Sequence, residues 1–154
     1  MVKALVAADA WCQQPGSYQA QRDSRVPDTG NIRADLQSWL IEHAEFIAEL
    51  SNAALIRALI AAAASSPSDN NALYERLSAP QHAGLMTRLR HAADKGELRV
   101  DTDLNAIANA LIGTLLLEVL NGTTPGDVSR TRYNGLLNAV LQGVSDTAGE
   151  RGGE

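Results

Sequence analysis

The chain holds a single cysteine, Cys12, in 154 residues. That excludes an internal disulfide and fits a reducing compartment. Basic residues are scattered, no block of three occurs, and the formal net charge is -5. Nucleic-acid binders usually carry a basic stripe, so direct DNA binding by this chain alone is not expected. No apolar run reaches the ~18 residues that a membrane span requires. The N-terminus has Lys3 and then Asp9, without a long apolar core or a cleavage site, and does not read as a secretory signal. Together these absences point to a cytoplasmic protein.

Chemistry is equally sparse. His43, His82 and His91 are the three histidines. His82 and His91 are nine apart, on opposite sides of a helix, and no HxxxH, HExxH or CxxC spacing occurs. No metal site is expected. A phosphate-binding loop of the GxxxxGK type is missing, and so is any set of nucleophile, base and orienter. The sequence therefore predicts no catalytic residue and no cofactor. Of the few aromatics, Trp11, Trp39, Phe46, Tyr74 and Tyr133 are mostly core residues by default.

What is present is helical periodicity. The length fits one domain with a real core, and 45% hydrophobic with 20% charged residues is ordinary for a globular protein. From Asp103 to Asn121, Leu104, Ile107, Ala108, Leu111, Ile112, Leu115, Leu116, Val119 and Leu120 follow the i, i+3, i+4, i+7 pattern. Leu117 extends the apolar character around most of that helix, so its own fold or a second subunit must cover it. Between residues 31 and 50, Ile32, Leu36, Trp39, Leu40, His43, Phe46, Ile47 and Leu50 share a broad face, capped by Asp28, Thr29 or Asn31. A helix at 52–65 follows, and Ser65-Ser66-Pro67 ends it. Leu73, Tyr74 and Leu77 edge the next helix, and Pro80 predicts a kink or break. The pattern resumes over 81–95 with Leu85, Met86 and Leu89, and Lys95-Gly96 is a stop signal. The last helix, 127–144, carries Tyr133, Leu136, Leu137, Val140, Leu141 and Val144. No strand pattern is seen. The fold class is all-α, an antiparallel bundle of about six helices.

Arg57 and Arg90 sit in largely apolar helices. Each either faces an acidic ligand group or snorkels to solvent. Trp39 and Phe46 are seven apart on one helix face, with His43 between them. Such a mixture lines small-molecule sites and ordinary cores alike.

Several segments then add up. Val26-Pro27-Asp28-Thr29-Gly30 followed by Ile32-Arg33-Ala34-Asp35-Leu36 resembles the start of the first long helix in the C-terminal domain of TetR-family transcriptional regulators. Ala92-Ala93-Asp94-Lys95-Gly96-Glu97-Leu98 with Asp101 and Asp103 resembles the turn before that family's dimerisation helices. Asn121-Gly122 and Leu141-Gln142-Gly143-Val144 fit as well. Ala4-Leu5-Val6-Ala7-Ala8 is similar to the helix that joins the family's DNA-binding and regulatory domains.

The resemblance implies a division of the chain. Residues 1–12 are a connecting helix, 13–30 a polar linker, 31–144 the regulatory domain and 145–154 a disordered tail. It implies a homodimer through helices 103–121 and 127–144, with Leu116, Val119, Leu120, Tyr133, Leu136, Leu137, Val140 and Leu141 at the interface. It also implies a pocket for a small hydrophobic effector, for which facing and chemistry nominate Trp39, His43, Phe46, Leu85, Leu89 and Leu115. The family's helix-turn-helix is expected to be missing, since the chain begins where that domain should end. DNA contact is expected only through such a domain. A helical pairing module without a ligand is the alternative.

Overall fold

Asn31 and Asp103 open two helices in the way their side chains allow. The Asn31 carboxamide oxygen accepts from the Ala34 N–H at 3.1 Å, and the Asp103 carboxylate accepts from the Ala106 N–H at 3.0 Å. Each satisfies a donor that the first turn leaves free, a contribution of about 1 kcal/mol. The computed structural model describes residues 25–64, 68, 70–71, 74–122 and 127–142. Among them are five α-helices and no strand. They are α1 (Ile32–Ala48), α2 (Leu50–Ala63), α3 (Ala79–Asp94), α4 (Leu104–Asn121) and α5 (Asp127–Gln142). The expected helix at 3–11 and the tail at 145–154 lie outside the described residues.

The stop at Lys95-Gly96 is built as its residue types require. Gly96 takes the left-handed conformation at φ 74°. Its N–H donates to Ala93 O at 3.0 Å, and the Glu97 N–H donates to Ala92 O at 2.8 Å. These two bonds take up carbonyls that the end of α3 leaves open. Pro80 falls in the first turn of α3, where a missing N–H costs nothing. The turn Tyr74–Ser78 just before it is π-helical, so the chain changes helical form at the proline. Tyr74 is 49% exposed rather than core.

The core is aliphatic around one indole. Leu36, Trp39, Leu40 and Ala44 of α1 meet Leu85, Met86, Leu89 and Ala92 of α3. Ile107, Ala108, Leu111, Ile112 and Leu115 of α4 and Tyr133, Leu137 and Leu141 of α5 complete it. α1 touches each of the other four helices and is the central strut. α4, the most apolar stretch of the sequence, is covered on one side only, leaving Leu116, Leu117 and Leu120 exposed. By length and composition α4, with mean hydropathy 1.5, is long and apolar enough to cross a membrane. A core helix passes the same test, and Ile107, Ala108, Leu111, Ile112 and Leu115 are in the bundle core.

Polar tethers fix the helices against each other. Arg57 is exposed and donates from Nη1 to Val119 O at 3.0 Å, placing a cation at the C-terminal end of α4 where the helix dipole favours it. Arg90 is exposed, as snorkelling requires. Arg33 of α1 donates to Asn138 of α5. Glu118, 4% exposed, accepts from the Tyr133 hydroxyl and pairs with Arg132 at 3.5 Å. Removing that hydroxyl from a buried carboxylate should be felt. Tyr133→Phe is expected to lower stability by about 1–3 kcal/mol, read as an earlier urea midpoint at unchanged slope.

Candidate functional site

Asp35 and Arg88 are the charges that the fold buries most completely on facing helices. Asp35 lies at i+3 from Ile32 and i−4 from Trp39, on the inner face of α1. Arg88 lies at i−4 from Ala92, on the inner face of α3. They are 1% and 3% exposed. Arg88 Nε donates to Asp35 Oδ2 at 2.8 Å. Nη2 lies 2.8 Å from the same oxygen, a charge contact without hydrogen-bond geometry, and Nη1 has no hydrogen-bond partner among the described residues. Asp28 approaches Arg88 Nε at 3.3 Å and Glu97 approaches Nη2 at 3.5 Å. Around this centre, Thr29 donates to Asp35 from its hydroxyl at 2.6 Å and from its N–H at 3.2 Å. The Ile32 N–H donates to Glu97 at 2.9 Å. His91 Nδ1 lies 2.6 Å from Asp28. Burial alone would raise the Asp35 carboxyl, but the Thr29 hydroxyl, Arg88 and the Thr29 N–H outweigh it and hold the group below its usual value.

This cluster joins four pieces of chain: residues 28–29, α1, α3 and the turn after α3. Beside it a cleft of about 620 Å³ opens between residues 25–28 and one face of α3. Arg25, Val26 and Asp28 form one wall, and Pro80, Ala83, Gly84, Thr87, Arg88 and His91 the other. Val26, placed in the polar linker by sequence, is 4% exposed and belongs to the core.

The residues nominated for an effector pocket fall into two groups. Trp39, Leu85 and Leu89 are fully buried and Leu115 is 5% exposed, all within one packed cluster. His43 and Phe46 are half-buried further along α1. The Trp39 and His43 rings lie 4.2 Å apart between centroids and 31° from parallel. His43 Nδ1 is 2.9 Å from Trp39 O, so that nitrogen carries the proton and donates. Burial pushes the His43 pKa down and the bond to Trp39 opposes this, so the ring stays neutral near pH 7. The indole N–H of Trp39 has no partner among the described residues.

The lowered His43 pKa gives a pH dependence. Its contribution to stability is complete above the ordinary value of 6.5 and is lost as pH falls toward the depressed folded value. The melting temperature should therefore drop between about pH 7.5 and 5.5, and His43→Gln should flatten that drop.

The residues nominated for a dimer interface also divide. Val119, Tyr133, Leu137 and Leu141 are buried inside the chain itself. Leu136 and Val140 are half-buried. Leu116 and Leu120 are 37% and 54% exposed, and Leu117, not nominated, is 56% exposed. With exposed Ala106, Ala110 and Gly113 they form one stripe along α4, small residues first and leucines last.

The sequence matches the family described as tetracyclin repressor-like, C-terminal domain, over residues 26–133. The chain belongs to the TetR family. Among solved structures it is similar to the TetR family transcription regulator SCO0332, with a TM-score of 0.71 and 29% identity over 84% of this chain and 70% of that one. No curated protein sequence matches. Asp28, Thr29, Asp35 and Glu97, which lie in two of the segments that resemble the family, are partners in the Arg88 cluster. In this TetR-family regulatory domain those segments hold the helices together from distant points of the chain. Arg88 itself was not singled out from sequence. The available signal was a charge falling in register with Leu85 and Ala92.

Proposed function

We propose that the chain is the effector-binding and dimerisation domain of a small-molecule-responsive, TetR-like transcriptional repressor, working in the cytoplasm as a homodimer. The observation that carries this reading is the α4 stripe. Leu116, Leu117 and Leu120 stand exposed in line on a helix whose opposite side is core. A contiguous apolar face of this kind is an interaction surface. A second copy is a self-complementary occupant, because a two-fold axis brings the same patch to both sides. Half-buried Leu136 and Val140 of α5 would extend the patch. DNA contact would be made by a helix-turn-helix outside the described residues.

On this reading a hydrophobic effector enters beside His43 and Phe46, with Trp39, Leu85, Leu89 and Leu115 behind them. It acts only through different affinities for two arrangements of the helices. No catalytic step and no cofactor is involved. The full burial of Trp39, Leu85 and Leu89 is the observation that favours the second reading, a helical pairing module without a ligand. Thermal-shift measurements with hydrophobic small molecules separate the two. The effector reading expects a compound that raises the melting temperature of the wild type but not of Phe46→Ala. A panel that leaves the wild type unmoved would favour the ligand-free module.

A further inference from the structure

Two asparagines in the chain are followed by glycine, Asn121 and Asn134. Such a pair can rearrange without an enzyme. The glycine nitrogen attacks the asparagine side-chain carbonyl, and a residue without a Cβ leaves that approach open. The attack requires the asparagine ψ to leave the helical range, so the fold around each pair decides its rate. The two pairs sit in opposite situations.

Asn134-Gly135 lies inside α5, which begins at Asp127 and runs on to Gln142. There the glycine N–H belongs to the ladder of bonds to carbonyls four residues back. Turning ψ at Asn134 would break the helix with structure on both sides. Its neighbours Tyr133 and Leu137 are 1% and 0% exposed, so the opening would also disturb the core.

Asn121-Gly122 is the end of α4. Asn121 is the last helical residue, exposed, and its carboxamide makes no hydrogen bond to the described residues. Gly122 is exposed at φ 65°, with open space where a side chain would stand. Its N–H is shared between Glu118 O and Val119 O, the latter at 3.3 Å, longer than an ordinary bond of this kind. Helix ends fray, and opening them costs little. Turning ψ at Asn121 releases this one cap and leaves the ladder before it intact.

We infer that Asn121 is a site of spontaneous deamidation, while α5 protects the same dipeptide at Asn134. The reaction consumes only water. The Gly122 nitrogen gives up its proton to solvent and forms a bond to Asn121 Cγ. The Cγ–Nδ2 bond breaks, and ammonia leaves with that electron pair and a proton from water. Water then opens the five-membered imide at either carbonyl, giving aspartate or its β-linked isomer. Both products place a carboxylate at the C-terminal end of α4, where the helix dipole disfavours it. That end is one residue from Leu120, which is 54% exposed.

The full chain, held in warm and mildly alkaline buffer with and without denaturing urea, tests this by peptide mass mapping. Trypsin cleavage after Arg99, Arg130 and Arg132 puts the two asparagines in separate peptides, and fragmentation locates the converted residue. In the folded chain Asn121 should convert at least about tenfold faster than Asn134. In urea the two rates should converge. Asn121→Gln should abolish conversion at that position and leave Asn134 as slow as before. The inference is overturned if Asn121 stays intact in the folded chain while the urea sample converts. Equal conversion of Asn121 and Asn134 in the folded chain overturns it too.

Discussion

Asp35→Ala should cost the fold about 3–5 kcal/mol, the usual result of stripping the main partner from a buried ion pair. The size follows from geometry. Arg88 is 3% exposed and receives its shortest contacts, both 2.8 Å, from Asp35. Asp28 and Glu97 remain at 3.3 and 3.5 Å and soften the loss without replacing it. Thr29 would lose its acceptor as well, releasing residues 28–29 from α1. Urea denaturation reads the effect directly. The double variant Asp35→Ala with Arg88→Met should recover much of the loss, because a buried pair is replaced at less cost than it is broken. Unchanged stability in the single variant would mean that the cluster does not hold the helices together. Acid gives a second reading. The Asp35 pKa is lowered, so its contribution is complete above the ordinary value of 3.8 and is lost as pH falls through the lower folded value.

Leu120→Glu should convert a dimer into a monomer that stays folded. The side chain is 54% exposed in the single chain, so a carboxylate there meets water and the fold tolerates it. In a two-fold pairing through α4, both copies would bring a glutamate into an apolar contact. Each charge would lose solvent, and the basic groups at this end of α4 are already engaged, Arg57 by the Val119 carbonyl and Arg132 by Glu118. Dimerisation should weaken by at least about a hundredfold, or roughly 2.7 kcal/mol. Light scattering after gel filtration would show the mass halve, while circular dichroism stays helical. A Leu120→Glu protein that elutes as a stable dimer would put the interface elsewhere.

The helices were legible because their signals are local. The stripes of α1, α3, α4 and α5, the α1 cap, narrowed to Asp28, Thr29 or Asn31, and the Lys95-Gly96 stop depend on residues within a few positions of one another. What joins them was not legible in the same way. Asp35 and Arg88 are 53 positions apart, and Ile32 and Glu97 are 65 apart, so no spacing rule links them. Periodicity also says that a residue lies on an apolar face without saying whose surface covers it. That is why Val119, Tyr133, Leu137 and Leu141 read as contacts for a second copy, although this chain buries them itself. Leu117, read as extending the apolar character around most of α4, lies in its exposed stripe. The cleft beside Arg88 needed residues 25–28 to fold back over α3, and a polar, non-periodic stretch carries no sign of that.

Sedimentation equilibrium of the wild-type chain over a range of concentrations tests the pairing most directly. The expected mass is twice the 16.4 kDa of one chain, falling to the single-chain value only on dilution or in Leu120→Glu. A wild-type chain that remains at 16.4 kDa at every concentration would contradict it.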